Sequence, residues 1–229
     1  MQYENICRGI FLERRNRFVA VVEMGGGLQA VHVKNTGRCR ELLVPGAEVW
    51  LVRSENPARK YRFDLVAVRK RSGVLFNIDS QAPNRVVREW LETQDFDRIL
   101  PEYRFGQSRI DFYMERGEER WLLEVKGCTL ERDGIGFFPD APTERGTKHL
   151  RELTAAVSEG WHAAVVFVMQ ADGMKTVLPN METDPAFSAA LEQAAQAGVR
   201  ILSLPCHVEP DHLEIVGSLS LSNPQDSAG

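Results

Sequence analysis

The sequence predicts an α+β protein of two domains, a small N-terminal β-barrel followed by a C-terminal α/β domain. Short valine-rich runs separated by glycine, asparagine and proline turns fill about the first 80 residues, a pattern typical of a small barrel. Helical and strand patterns alternate after that, as they do in α/β sheets. The 229 residues and 43% apolar content allow a core of ordinary size. We therefore expect domains at residues 1–82 and 83–229.

The N-terminal runs define the strands of the predicted barrel. We expect strands at residues 18–23, 29–33, 48–52 and 62–70. The turns between them are marked by Gly25-Gly26-Gly27, Asn35-Thr36-Gly37, Pro45-Gly46 and Asn56-Pro57. About five strands in this length suit a small barrel whose short loops bind oligonucleotides, as OB-fold loops do.

The C-terminal domain begins with a predicted helix at residues 85–91, for which Asn84 is the expected cap. Two hairpin strands follow, then a helix at 143–158 and a buried strand at 163–168. Asp184-Pro185 opens a last helix, and a strand at 199–204 comes after it. This alternation predicts an α/β sheet. We expect the tail at 222–229 to be disordered.

The hairpin carries the residues that are most informative about function. A two-residue turn at Gly117-Glu118 places Asp111 opposite Glu124, and the period of two puts Lys126 on the same side as Glu124. The opposite side is expected to be apolar and comprises Ile110, Phe112, Met114, Trp121, Leu123 and Val125. One face of the hairpin should pack, and the other should carry charge.

Two carboxylates one strand apart suit a hard cation such as Mg²⁺, which accepts phosphate oxygens as further ligands. A lysine beside them can stabilise the charge that builds on a phosphate under attack, so Asp111, Glu124 and Lys126 are candidates for phosphodiester hydrolysis. The alternative is a surface ladder of salt bridges, because this pattern is short enough to recur by chance.

The helix after the hairpin carries a charged face. Asp140 or Thr143 is placed to cap its start. At 100° per residue, one side of the helix carries Arg145, Lys148, His149 and Glu152. This face follows directly after the Glu124 strand, so it can hold cations near a bound phosphate. The alternatives are an ordinary solvated face and a packed histidine.

The net charge of −4 hides an uneven distribution. Residues 1–71 contain 14 Lys+Arg and 7 Asp+Glu, giving +7, and the remaining residues hold 14 and 25, giving −11. The basic clusters of the first part are interleaved with Phe18, Tyr61 and Phe63, which suits a groove that follows a phosphate backbone and stacks bases. For any single arginine, a solvated strand end is the alternative.

Several of these runs together resemble a known family. The runs are Ser108-Arg109-Ile110-Asp111-Phe112, Glu124-Val125-Lys126, and the segment from Phe138 to Leu153. They are similar to those of the sugar fermentation stimulation protein A (SfsA) family of bacteria and archaea, and the likeness covers nearly the whole chain. The resemblance implies an N-terminal OB-like barrel and a C-terminal domain like the restriction-endonuclease-like PD-(D/E)xK nucleases, with DNA binding as the associated property.

The chain departs from the nuclease pattern at one position. Ile110-Asp111 stands where the motif has Pro-Asp. Nucleases of this superfamily often supply an additional acid from an earlier element, and Glu102 is the candidate here. Its alternative is a solvated loop carboxylate.

The sequence also bounds compartment and partners. Cys7, Cys39, Cys128 and Cys206 form no Cys-x-x-Cys pair, so free thiols are expected rather than a zinc site or disulfides. The apolar runs are too short for a membrane span, and the N-terminus lacks a secretory pattern. We therefore expect a cytoplasmic protein with no membrane partner. Whether it is a monomer or a homodimer is left open.

These observations predict a DNA-binding protein with a nuclease site that uses Mg²⁺ or Mn²⁺ to hydrolyse phosphodiester bonds in DNA or RNA. The predicted catalytic residues are Asp111, Glu124, Lys126 and Lys148, and the predicted metal ligands are Asp111, Glu124 and Glu102. The predicted nucleic-acid contacts are Arg14, Arg15, Arg17, Lys34, Arg38, Arg59, Lys60, Arg109, Arg145 and His149. The alternative is a non-catalytic DNA-binding regulator of sugar-utilisation genes with a vestigial nuclease site. A hydrolase for another phosphate-bearing substrate is a third hypothesis.

Overall fold

The computed structural model describes residues 1–35, 37–217 and 220–221. The N-terminal part is a barrel of six strands: β1 (Ile6–Asn16), β2 (Val19–Met24), β3 (Gly27–Val33), β4 (Glu48–Arg53), β5 (Phe63–Arg69) and β6 (Leu75–Asn77). Their order is β3-β2-β1-β4-β5-β6, and a parallel pairing of β3 with β5 closes the barrel. The predicted small barrel is confirmed. The sequence prediction missed β1, the longest of these strands.

The C-terminal part is an α/β unit around a second six-stranded sheet. Its elements are α1 (Ala82–Leu91), β7 (Arg98–Phe105), β8 (Ser108–Arg116), β9 (Glu119–Cys128), β10 (Glu131–Arg132), β11 (Ile135–Phe138), α2 (Glu144–Ser158), β12 (His162–Met169), β13 (Thr176–Pro179), α3 (Pro185–Gln196), β14 (Arg200–Val208) and β15 (Leu213–Ile215). The large sheet has the order β15-β14-β12-β9-β8-β7, with β9, β12 and β14 parallel at its centre. The predicted α/β sheet is therefore confirmed.

The two parts share their apolar cores. One buried cluster joins barrel residues such as Phe11 and Leu65 to Leu150 and Phe187 on α2 and α3. A second cluster joins Trp50 of the barrel to Trp90 on α1 and Trp121 on β9. The barrel is thus packed against the α/β unit, which brings its loops close to the carboxyl ends of β9 and β12.

The hairpin of β8 and β9 has the predicted register. Met114 pairs with Trp121 and Phe112 with Leu123 across the two-residue turn. One expectation for its faces was wrong: Ile110 lies in the other core cluster from Phe112, and Tyr113 and Leu122 bury the face that was expected to carry only charge. Two observations account for this difference. The sheet is covered by apolar residues on both sides, and the alternation of side chains along β8 breaks at Asp111.

The break coincides with an unusual backbone on the neighbouring strand. Glu102 on β7 has a φ of 58°, in the left-handed region, and lies between the pairs Pro101 with Phe112 and Tyr103 with Ile110. A residue in that region turns the strand and interrupts the alternation of its side chains. Asp111 sits opposite this position, at the point where the pairing of β8 with β9 ends.

Two capping predictions have different outcomes. Asn84 does not cap α1: the cap residue is Gln81, and Asn84 lies in the first turn after Pro83. Pro83 suits its position at the start of the helix, because the fixed φ of proline matches the helix and its missing N–H is not needed there. For α2, Thr143 is the cap and its hydroxyl accepts a hydrogen bond from the Gly146 N–H at 3.1 Å. The predictions for the turn at Asn35-Thr36-Gly37 and the tail at 222–229 depend on Thr36 and on that tail, which lie outside the described residues.

Candidate metal and nucleic-acid site

The candidate site lies where β8 and β9 diverge. Asp111 occupies this position on β8, and its carboxylate replaces the interrupted strand pairing: Oδ2 accepts a hydrogen bond from the backbone N–H of Val125 at 2.8 Å. Its other oxygen, Oδ1, accepts from the side-chain amide of Asn84 on α1, also at 2.8 Å. Both oxygens of Asp111 are therefore fixed by groups that leave further lone pairs available.

Burial raises the pKa of Asp111, and the negative charge of Glu124 adds to that rise. The hydrogen bonds from Val125 and Asn84 and the charge of Lys126 only partly offset these effects. The ionised form of Asp111 is thus held at a free-energy cost, which a nearby cation would relieve.

Glu124 is the buried centre of the cluster, with 3% of its side chain exposed. Its Oε1 atom lies 2.6 Å from Lys126 Nζ and 2.5 Å from His149 Nδ1. Burial raises the pKa of Glu124, but the hydrogen bond from His149 and the charge of Lys126 outweigh it, so the pKa lies below its usual value. Glu124 is therefore ionised at neutral pH.

The second oxygen of Glu124 has no hydrogen-bond partner although it is buried. Among the described residues, three buried side-chain atoms share this condition: Arg14 Nε, Glu124 Oε2 and Glu152 Oε2. A buried carboxylate oxygen without a partner is costly, so it requires a physical explanation. A divalent cation is one explanation that fits, because Glu124 Oε2 and Asp111 belong to one electrostatically coupled pair of acids.

Tertiary folding brings His149 to the site in a different role from the one predicted. Its side chain is 3% exposed and contacts Glu124, so it is buried and lies within the acidic cluster rather than on an open phosphate-binding face. On its far side, Nε2 lies 3.4 Å from Arg145 Nε. The helical face predicted to contact phosphate thus turns inward at His149, as the packed-histidine alternative has it, because Leu150 and Leu153 pack α2 onto the sheet.

Lys148 takes the outward position on the same helix. Its side chain is 52% exposed, its Nζ donates to the Gln107 carbonyl at 3.2 Å, and it lies 3.7 Å from Glu152. Arg145 is also exposed. Lys126, not Lys148, is the lysine in contact with the acidic pair. Lys148 and Arg145 remain candidates for contacts with a substrate at the surface.

Glu102 is not brought into the cluster by any contact. It is 53% exposed and forms a 2.6 Å salt bridge with Arg109, another predicted nucleic-acid contact. Within the described ranges, no group of three or more His, Cys, Asp or Glu side chains is arranged to hold a metal. The candidate metal ligands at the site are thus Asp111 and Glu124.

The basic residues of the barrel divide into two groups. In the first group, the charged end of the side chain binds a carboxylate or backbone carbonyls of the protein itself. Arg59 forms two 2.7 Å hydrogen bonds with Asp64, Lys34 lies 2.9 Å from the buried carboxylate of Asp79, and Arg14 donates to three backbone carbonyls. These three side chains organise the barrel.

The second group is exposed and comprises Arg15, Arg17, Arg38, Arg40 and Lys60, of which Arg15 forms a 3.2 Å surface ion pair with Glu13. A groove of about 650 Å³ is lined by Arg17, Arg38 and Arg40 of this group and by Arg14. It continues into a narrower cleft of about 260 Å³, since both are lined by Arg17, Gly37, Ala141 and Pro142.

The narrower cleft joins the barrel to the carboxyl end of the strand that carries the site. Gly127 and Cys128 of β9 line it, directly after Lys126. Asp140 holds the barrel loop against it, because its Oδ2 accepts hydrogen bonds from the N–H groups of Arg38 at 2.8 Å and Cys39 at 3.4 Å. A Cβ at Gly37 would lie 2.7 Å from Asp140 Oδ2, so a larger residue there would displace this carboxylate.

Asn84 and Asp140 are the residues that sequence reasoning did not assign to these roles. Both had been considered as helix caps, and both short polar side chains instead bind groups distant in sequence. Asp140 stood in the segment from Phe138 to Leu153 that supported the family resemblance, which was a signal for a role beyond capping.

The structure also bears on the predictions about membrane spans and cysteines. No helix of the described chain is long and apolar enough to cross a membrane. The four cysteines are free, and three of them are buried.

Comparison with known proteins identifies relatives along almost the entire chain. A family model described as the sugar fermentation stimulation protein RE domain matches residues 81–212, and one described as the SfsA N-terminal OB domain matches residues 12–78. A sugar fermentation stimulation protein homolog of Desulfitobacterium hafniense is 51% identical over 93% of this chain and 95% of its own length. A homolog from Ruminiclostridium cellulolyticum is 48% identical over 94% and 96%.

A solved structure has the same fold over the same extent. It is described as Pyrococcus furiosus SfsA in complex with Ca²⁺, and its TM-score with this chain is 0.85 at 28% sequence identity. The similarity covers 96% of this chain and 97% of the other. The OB-like barrel and the arrangement of both parts are therefore shared with that protein.

Proposed function

This chain belongs to the sugar fermentation stimulation protein family, and from that premise we propose that it binds DNA and hydrolyses phosphodiester bonds with a divalent cation, Mg²⁺ or Mn²⁺. RNA is the alternative substrate. The observation that carries the proposal is how the two carboxylate oxygens of Glu124 are bonded. One of its oxygens is held by Lys126 and His149, the other is buried without a partner, and the charge of Glu124 acts on Asp111.

The donor set suits a hard cation. Asp111 and Glu124 would hold the metal, and both provide carboxylate oxygen, the ligand that Mg²⁺ and Ca²⁺ prefer. When bound, such an ion polarises a phosphoryl oxygen and lowers the pKa of coordinated water. The Pyrococcus furiosus relative is described in complex with Ca²⁺, which supports this choice.

The residues of the chain itself prepare the reaction in separate ways. Asn84 and the Val125 N–H fix the direction of the Asp111 carboxylate. Lys126 has three N–H donors, of which one is directed at Glu124, so the others are available to orient a water molecule or to stabilise negative charge on the phosphate. With 14% of its side chain exposed, Lys126 can reach a substrate while remaining ordered.

The basic groove provides the path for the substrate. Arg17, Arg38 and Arg40 line it on the barrel side, and it leads into the cleft at the carboxyl end of β9. Backbone phosphates bound along these arginines would be neutralised without reading sequence. The exposed ring of Phe18, with 47% of its surface accessible, adds a platform on which a base can stack.

One observation favours a second candidate function, a DNA-binding regulator of sugar-utilisation genes that does not cut. Among the residues that the structure describes, two acids meet at the site, and Glu102 is engaged with Arg109 at the surface. Two protein ligands still suffice for Mg²⁺, which retains waters and binds substrate oxygens. The half-buried lysine beside them suits hydrolysis better than binding, so we favour the nuclease.

The deciding experiment compares wild type with Lys126→Ala on labelled single- and double-stranded DNA and RNA, in Mg²⁺ or Mn²⁺ and in chelator. We expect cleavage that requires metal in wild type, and a loss of roughly 10²–10³ in rate in Lys126→Ala with nucleic-acid affinity nearly unchanged. Lys175→Ala, an exposed lysine outside the site, is the matched control. Wild type that binds DNA but cuts no substrate with either metal would favour the regulator.

A further inference from the structure

The histidine on α2 contacts the acidic cluster without facing the open surface. His149 Nδ1 lies 2.5 Å from Glu124 Oε1, while Lys126 Nζ approaches the same oxygen at 2.6 Å. Both donors therefore converge on one oxygen of the carboxylate. The other oxygen, Oε2, is left buried and unpartnered.

Two donors on one oxygen decide how the carboxylate is rotated. The terminal torsion of a glutamate is broad and nearly two-fold, so its two oxygens are not distinguished by the side chain itself. Lys126 is a flexible chain on the same strand and restricts this rotation weakly. The His149 ring comes from a separate helix, is 3% exposed and is held by packing, so it provides a rigid second point.

The hydrogen bonds of the ring also define which nitrogen carries the proton. Arg145 has only donors, and its Nε lies 3.4 Å from His149 Nε2, so Nε2 accepts. Nδ1 must then carry the hydrogen that is donated to Glu124. The three residues form a directed chain from Arg145 through His149 to Glu124.

We propose that His149 is a positioning residue of the metal site, which fixes Oε1 of Glu124 so that Oε2 is presented to the divalent cation. The inference rests on the proposed function, because it requires a cation beside Glu124 and Asp111. Residues that orient metal-binding side chains typically contribute 10–100-fold to metal affinity. His149 has this effect without contacting substrate or metal.

The test measures Mn²⁺ binding by titration calorimetry without nucleic acid, so its readout is independent of cleavage. His149→Leu and His149→Phe keep apolar bulk and remove the donor, whereas the amide of His149→Asn can replace the Nδ1 donor. We expect roughly 10–100-fold weaker Mn²⁺ binding in the Leu and Phe variants and affinity within about threefold of wild type in the Asn variant. His207→Asn, at a histidine with 45% of its side chain exposed, is the control and should bind as wild type does.

A second measurement is made on wild type and uses the His149→Asn variant for assignment alone. Long-range ¹H–¹⁵N spectra of wild type, with His149 assigned from the spectrum of His149→Asn, report which ring nitrogen carries the hydrogen. We expect hydrogen on Nδ1. A ring with no hydrogen on Nδ1 would overturn the proposal.

The calorimetric outcomes separate this inference from the proposed function. If wild type binds Mn²⁺ and the Leu or Phe variant binds it equally well, the positioning role is wrong and the metal site stands. An Asn variant as weak as the donor-less variants would also overturn it, because the donor would then not be what matters. If wild type itself binds no Mn²⁺, the metal-dependent function is wrong and this role is lost with it.

Discussion

Charge is used in opposite ways in the barrel and at the divergence of β8 and β9. In the barrel, the positive charge is spread over many arginines and lysines, several of them exposed along a groove. At the hairpin, few charges converge, and Glu124 and His149 are almost completely buried. Exposed charges are screened by water and salt, so each contributes little, whereas buried charges depend on every partner. Each substitution in the barrel should therefore weaken nucleic-acid binding by a small amount. A single substitution at the hairpin should remove most of the cleavage activity.

The largest expected effect is that of Glu124→Gln. Removing this charge removes one proposed metal ligand and weakens the hydrogen bonds from Lys126 and His149. We expect metal-dependent cleavage to fall by about 10³ or more and the free energy of unfolding to fall by about 2 kcal/mol. Cleavage assays and denaturant unfolding measure the two effects, with Glu118→Gln in the exposed hairpin turn as the control. A Glu124→Gln variant that still cleaves would contradict the idea that the buried charges of the hairpin are each essential.

Asp111→Asn is expected to have the opposite effect on stability. The pKa of Asp111 is raised in the folded protein by burial and by Glu124, so its ionised form destabilises the fold at neutral pH. Below the unfolded value, near about 4, the carboxyl is protonated in both states and the destabilisation is absent; it develops as pH rises through the raised native pKa.

In metal-free buffer at pH 7, Asp111→Asn should therefore melt at a higher temperature than wild type, by about 2–4 °C for each kcal/mol relieved. The difference should disappear near pH 3. Added Mn²⁺ should raise the melting temperature of wild type but not that of the variant, because only the form that binds metal is stabilised. Scanning calorimetry at both pH values, with and without Mn²⁺, measures this. A variant less stable than wild type at pH 7 would contradict the account of Asp111.

In the groove, the double charge reversal Arg38→Glu with Arg40→Glu should weaken nucleic-acid binding and reduce its dependence on salt. Loss of two phosphate contacts should flatten the slope of log affinity against log salt by about 1.4–1.8. Fluorescence anisotropy with labelled DNA at several salt concentrations measures the slope. The control is Arg88→Glu with Arg98→Glu, two exposed arginines on α1 and β7 that change the net charge equally. An equal loss in the control would mean that net charge, not the groove, governs binding.

The smallest effect is expected from Arg59→Ala. This arginine was predicted to contact nucleic acid, but both of its terminal nitrogens bind Asp64. With a third of the side chain exposed, the pair contributes about 0.5–1 kcal/mol to stability. We expect a loss of that size in denaturant unfolding and an unchanged salt slope. A flattened slope would place Arg59 on the substrate path after all.

The sequence by itself determined the features that depend on local rules. The turn at Gly117-Glu118 and the alternation of side chains fixed the register of the hairpin, and with it the proximity of Asp111, Glu124 and Lys126. The strand and turn pattern identified the barrel, because valine-rich runs between glycine and proline turns favour short strands. The runs that resemble the family extended the prediction of the fold to both parts of the chain.

Tertiary structure alone decided which polar groups are engaged, because their partners lie far away along the chain. His149 and Glu124 are 25 residues apart, Asn84 and Asp111 are 27 apart, and Asp140 and Arg38 are 102 apart. Local patterns marked Asn84 and Asp140 as caps, His149 as a surface cation and Lys34 as a phosphate contact. A polar side chain that becomes buried must find a partner wherever the fold places one, and periodicity along the chain carries no information about that partner.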